Sequence, residues 1–115
     1  MSIPVELDDL PERIAGRTGQ AYLVTIRDQR PHVVSVAPRP GGGATLVVGA
    51  GRRTAMNVAE RPEVTLLWPT DDRDAKHSLL VDGTAAPGDD GETLVITPTS
   101  AILHRVRAAD DSTRC

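Results

Sequence analysis

Apolar and polar residues alternate along much of this chain, in short runs closed by proline or glycine. A period of two marks half-buried strands. QAYLVTIRD (Gln20 to Asp28) is β-branched and aliphatic and predicts a strand. DQRP turns the chain into HVVSVAP (His32 to Pro38), a second strand ended by Pro38 and Pro40. GGG (Gly41 to Gly43) is a turn, and ATLVVGA (Ala44 to Ala50) is a third strand. Short turns between these three predict an antiparallel meander. EVTLLW (Glu63 to Trp68) is a fourth strand, stopped by Pro69, and SLLVDGTAAP (Ser78 to Pro87) a fifth, with Gly83 marking a bulge. ETLVITPTSAILHRVR (Glu92 to Arg107) predicts a sixth strand and, past a break at Pro98, a seventh.

The period lengthens in two places. In ELDDLPERIAG (Glu6 to Gly16), Leu7, Leu10 and Ile14 fall at helical spacing, Pro11 sits in the first turn and Gly16 is a stop. A second helix starts after Gly51 and ends at Arg61, because Pro62 cannot continue it. PTDDRDAKHS (Pro69 to Ser78) and GDDG (Gly88 to Gly91) are polar connections, and AADDSTRC is a frayed tail. Many short strands and few helices at this length predict a mainly β chain, a small antiparallel barrel of six to seven strands. The expected organisation is one domain over residues 1–107 and a flexible tail over 108–115.

Composition narrows the chemistry. Trp68 and Tyr22 are the only aromatic residues, so Val, Leu, Ile and Ala must build the core. A net charge of −3 disfavours nucleic acid as a partner. The only cysteine is Cys115, which leaves no disulfide within the chain. MSIPVELDDL lacks the basic and apolar regions of a signal peptide, and no apolar run approaches the roughly 20 residues of a membrane span. The expectation is a cytoplasmic protein.

One stretch runs against helix electrostatics. In GAGRRTAMNVAERPEV (Gly49 to Val64), Gly51 is the N-cap, and Arg52 and Arg53 open the helix. A helix N-terminus carries about half a positive charge and unpaired amides, so a cation there costs ~0.3–1 kcal/mol at an exposed site. Four residues on stand Met56 and Asn57, not acids, so the helix supplies no partner. A bound phosphate would accept from the free amides and the guanidinium groups together, and Gly49 and Gly51 would let the backbone approach it. The alternative is two side chains extended into solvent.

AGRRTAMNVAERPEVTLLWP resembles the strand–helix–strand segment of the pyridoxamine 5′-phosphate oxidase-like, FMN-binding split-barrel family. Gly51, Arg52, Arg53, Asn57 and Arg61-Pro62-Glu63-Val64 carry that likeness. RPHVVSVAP, VDGTAAP and LVITPTSAILHRV look like further strands of the family, in the same order, so that the resemblance spans Glu6 to Val106. It implies a split barrel that dimerises and holds the cofactor at the interface. It implies that Arg52 and Arg53 bind the cofactor phosphate. It also implies that His32, Val33, Ser35, Ala37, Val47 and Val48 line the ring and ribityl chain, largely through backbone. FMN is the expected cofactor, with the deazaflavin coenzyme as the alternative. The implied activity is hydride transfer to or from a small organic substrate; the alternative is a non-catalytic flavin or haem binder. The basic and aromatic C-terminal extension of true pyridoxamine phosphate oxidases has no counterpart here, so that reaction is not expected.

Other chemistry is poorly supported. His32, His77 and His104 form no close ligand pair, so no metal site is expected. Ser35 lacks the Gly-x-Ser-x-Gly context of a nucleophile, and GAGRR lacks the Gly-Lys-Ser/Thr of a P-loop. DDRDAKH (Asp71 to His77) is either a gate for substrate or a solvated charge run. Trp68 is expected in the core or a dimer interface rather than stacked on a ligand.

Overall fold

The computed structural model describes residues 2–109, so the expected tail falls mostly outside the described residues. Eight strands and two α-helices follow one another along the chain. The strands are β1 (Ser2–Val5), β2 (Ala21–Arg27), β3 (Arg30–Val36), β4 (Arg39–Pro40), β5 (Leu46–Gly49), β6 (Glu63–Trp68), β7 (His77–Pro87) and β8 (Thr93–Arg105). Helix α1 (Leu10–Ala15) continues a 3-10 turn at Leu7–Asp9, and α2 (Arg52–Glu60) lies between β5 and β6. β1 and β4 were not foreseen. Two and four residues are too few to show a period.

All the strands join one antiparallel sheet in the order β3-β2-β6-β7-β8-β5-β4, with β1 on the distal half of β8. The expected meander of the first three long strands is therefore broken. β2 and β3 form a hairpin, but β5 pairs with β8 at the far end of the order. Only Ala37 and Pro38 separate β3 from β4, so the two ends of the sheet must come close together. That short link curls the sheet into a split barrel. Helix α2 packs on β2 and β7 and covers one end. Leu10 of α1, 3% exposed, joins the core.

The two strands expected across Pro98 are one thirteen-residue strand with a bulge. Asp82 pairs with Ser100 and Gly83 with Pro98, so Thr99 is the extra residue. Leu94 and Ile96 point inward before it, Ala101 and Leu103 after it. The bulge changes the parity of the strand, which is why the alternation appears to restart. Pro98 has no amide hydrogen to offer a ladder and is tolerated at such a site. Gly83 stands opposite for a steric reason: a Cβ there would lie 2.5 Å from the Thr97 carbonyl oxygen.

The inner face is an aliphatic core of Leu23, Leu66, Leu79, Val81, Leu94 and Ile96 around Trp68, which is 1% exposed. Trp68 is thus a core residue. No helix of the described residues is long and apolar enough to cross a membrane.

Candidate functional site

The arginine pair sits where a strand hands over to a helix. β5 ends at Gly49, and the Ala50 amide donates to the Glu92 carbonyl at 2.9 Å, which carries the ladder one residue further. Gly51 is extended (φ −75°, ψ 172°), and α2 begins at Arg52. The Ala55 amide makes the first helical bond, to the Gly51 carbonyl at 3.0 Å. No side chain caps the amides of that first turn, and no acid lies within it. Arg52 and Arg53 are exposed, and among the described residues neither has an ion pair or a side-chain hydrogen bond. A Cβ built at Gly49 or Gly51 would meet nothing within 4 Å, so the chain's own packing does not demand glycine at either place.

The opposite face of α2 is fixed to the barrel by a polar network. Asn57, 2% exposed, donates from Nδ2 to Thr25 Oγ1 at 3.1 Å and lies 3.2 Å from His32 Nδ1. Thr25 and His32 are directly paired across the β2–β3 hairpin, so a single amide clamps the helix to both strands. With Nδ2 as donor, the His32 Nδ1 is the acceptor of this contact. Buried amides and hydroxyls are costly when unpaired, and each finds a partner here. In the sequence Asn57 figures only among the residues of the family likeness, and its bridging role comes from the fold. Its signal was a weak helix former with a short polar side chain in the middle of a nine-residue helix.

The residues proposed to line the cofactor divide by strand parity. Val33 and Ser35 stand on the outer face, paired with Val24 and Tyr22. That outer face is only partly polar: Val33 is 55% and Tyr22 42% exposed. His32 turns the other way, toward α2, so its imidazole is committed to Asn57. Val34 and Val36 share its parity and already mark that face as internal. Ala37 is exposed just past the end of β3. Val47 is half-buried on β5, paired with Val95, and stands five residues before Arg52. Val48 is in the core with 1% exposure, which leaves only its backbone for any ligand. The structure thus groups Val33 and Ser35 with Tyr22 and leaves Val47 half-buried on β5, while the side chains of His32 and Val48 face inside.

The charged loop after β6 is tied down internally. Asp74 accepts from the amides of Lys76 and His77 and from His77 Nδ1, and meets Arg17 Nη2 at 3.5 Å. Burial alone would raise the Asp74 pKa, but the Lys76 amide and the His77 contacts outweigh it and hold the carboxyl below its ordinary value. Among the described residues no cluster of three or more His, Cys, Asp or Glu is placed to hold a metal ion.

No family model matches the sequence. Two curated relatives do: the uncharacterized protein Mb0449c of Mycobacterium bovis and the uncharacterized protein MT0457 of Mycobacterium tuberculosis. Each is 43% identical over 108 residues, covering 81% of this chain and 75% of the relative. Among solved structures, a putative pyridoxamine 5′-phosphate oxidase from Listeria innocua superposes with a TM-score of 0.68 at 20% identity, over 85% of this chain and 98% of that one. An F420 reductase gives 0.61 at 19% identity, over 78% and 94%. The FAD binding protein from Mycobacterium smegmatis gives 0.62 at 16% identity, over 93% and 100%. This chain belongs to the family of the two mycobacterial proteins, and its fold is the pyridoxamine 5′-phosphate oxidase-like split barrel.

Proposed function

We propose that this protein binds a flavin-type cofactor through its phosphate, and that it uses that cofactor as an oxidoreductase. One observation carries the reading. Two exposed arginines, without acidic partners among the described residues, open an uncapped helix beside glycines that the chain's own packing does not require. Phosphate fits that donor set. It accepts from the first-turn amides and from both guanidinium groups, and its charge suits the helix dipole. Solved proteins of the same fold include an F420 reductase and a FAD binding protein, which favours a flavin or deazaflavin over another phosphate ester.

Arg52 and Arg53 hold the phosphate, and Val47 and the Gly49–Gly51 backbone flank the ribityl chain. Val33, Ser35 and Tyr22 offer a surface to the ring, completed by a second copy of the chain in a homodimer. Bound there, FMN or the deazaflavin coenzyme supplies hydride transfer to or from a small organic molecule. The protein's part is to bind, orient and exclude water. His32 acts indirectly: through Asn57 it holds α2, and so the arginines, in place.

The test is an absorption spectrum of the purified protein, followed by titration with FMN and with the deazaflavin coenzyme. Saturable binding of either supports the reading, and turnover of the reduced cofactor with an acceptor then separates an enzyme from a carrier. A protein that binds neither overturns it.

A further inference from the structure

A cavity lies at the end of the barrel away from α2. β5 leaves it at Leu46 and reaches the arginine end at Gly49. The cavity measures about 360 Å3, within the usual range for a small-ligand site. Its walls are Leu7, Leu10 and Ile14 from the α1 side, Leu46 and Pro98 from the sheet, and Trp68. Nothing in the arginine-pair reading uses this space.

Three features mark it as built. First, its walls are aliphatic where water would gain little, and apolar surface left wet is unfavourable. Second, of the two charged side chains that line it, Arg17 and Arg39, the inner one is already neutralised. Arg17, its side chain 6% exposed, donates to the His77 carbonyl at 2.8 Å and meets Asp74 at 3.5 Å. Whatever enters finds no free charge inside. Third, the mouth is pre-shaped. In the β4–β5 turn the Gly41 amide donates to the Thr45 carbonyl at 2.9 Å and Thr45 Oγ1 to the Gly42 carbonyl at 2.6 Å. Gly43 takes φ +64°, which glycine adopts without strain. Next to this turn stands Arg39, exposed and without an acidic partner among the described residues.

An apolar interior with a single free cation at its rim selects an amphipathic anion. We propose that this cavity binds a small aliphatic carboxylic acid, with its chain against Leu10, Ile14, Leu46 and Trp68 and its carboxylate at Arg39. A chain of medium length suits the volume. The site is independent of the cofactor reading and stands or falls without it.

Trp68 is the only tryptophan and lines the cavity, so its fluorescence carries a signal from this wall. The probe is ω-bromooctanoate, whose bromine quenches an indole only on contact. Titrated into the full chain, it is expected to quench saturably, and unbrominated octanoate should reverse the effect. Arg39→Gln should raise the half-quenching concentration about three- to fivefold, the scale of one exposed ion pair. Ala15→Phe, which narrows the cavity from the α1 side, should abolish quenching while the variant keeps the parent's circular dichroism. Absence of saturable quenching in the parent overturns the proposal. So does quenching unchanged in both variants, or reversal by FMN rather than octanoate. If octanol reverses quenching as well as octanoate does, the role of Arg39 is overturned.

Discussion

Arg52 and Arg53 stand at the most positive end of α2, and among the described residues no acid pairs with them. An arrangement that costs stability in the free protein is the ground for the phosphate site proposed above. The helix cannot drift to relieve it, because Asn57 fastens it to Thr25 and His32. Asn57→Ala leaves the Thr25 hydroxyl, 1% exposed, without its donor. It should cost about 1–3 kcal/mol in urea unfolding. It should also weaken cofactor binding beyond that, since the arginines lose their fixed position. An unchanged midpoint would mean that the network carries no stability. The arginine pair was legible in the sequence because the charge logic of a helix terminus is local. The network was not, since it joins residues 25 and 32 apart in sequence, which no short motif connects.

At the scale of elements, legibility followed period and length. β2, β6 and β7 alternate cleanly for six residues or more and were readable nearly to their ends. β8 was read as two strands, because one inserted residue shifts its inner face from Leu94 and Ile96 to Ala101 and Leu103. A parity change across a proline, with a glycine at the facing position, is the pattern to look for. Gly83 makes that bulge possible by admitting the Thr97 carbonyl to within 2.5 Å of where a Cβ would stand. The obstacle is backbone and cannot swing away. Gly83→Ala should therefore destabilise the fold by about 1–3 kcal/mol, read as a lower unfolding midpoint. A neutral substitution would show that β7 and β8 can separate at the bulge without loss.

For the whole molecule, the curl of the sheet leaves its outer face partly apolar. Ile102, Leu80, Leu67 and Tyr22 are cross-strand neighbours in one row across β8, β7, β6 and β2. The first three are half-buried and Tyr22 is 42% exposed. A contiguous apolar row rimmed by polar residues suits association with a second copy. Leu67→Glu puts a charge in the middle of it without touching the core. The variant should elute as a monomer where the parent elutes as a dimer, with an unchanged circular dichroism spectrum; a parent that is itself monomeric at micromolar concentration contradicts the homodimer. Such a face is hard to see in a sequence. Alternation shows that one face of each strand is less buried, but the order β3-β2-β6-β7-β8-β5-β4 decides which residues become neighbours. The same order puts β3 and β5, separated in sequence only by the two-residue β4, near opposite ends of the hydrogen-bonded path.

The most direct test of the central claim compares FMN with riboflavin, which lacks only the phosphate, in calorimetric titrations of the parent and of the Arg52→Ala, Arg53→Ala double variant. A charge-assisted hydrogen bond contributes about 1.5–3 kcal/mol, so two guanidinium groups imply a preference for FMN on the order of a hundredfold or more. The account predicts that preference in the parent and its collapse in a double variant that still folds. Equal binding of the two flavins by the parent, or an undiminished preference in the variant, would contradict it.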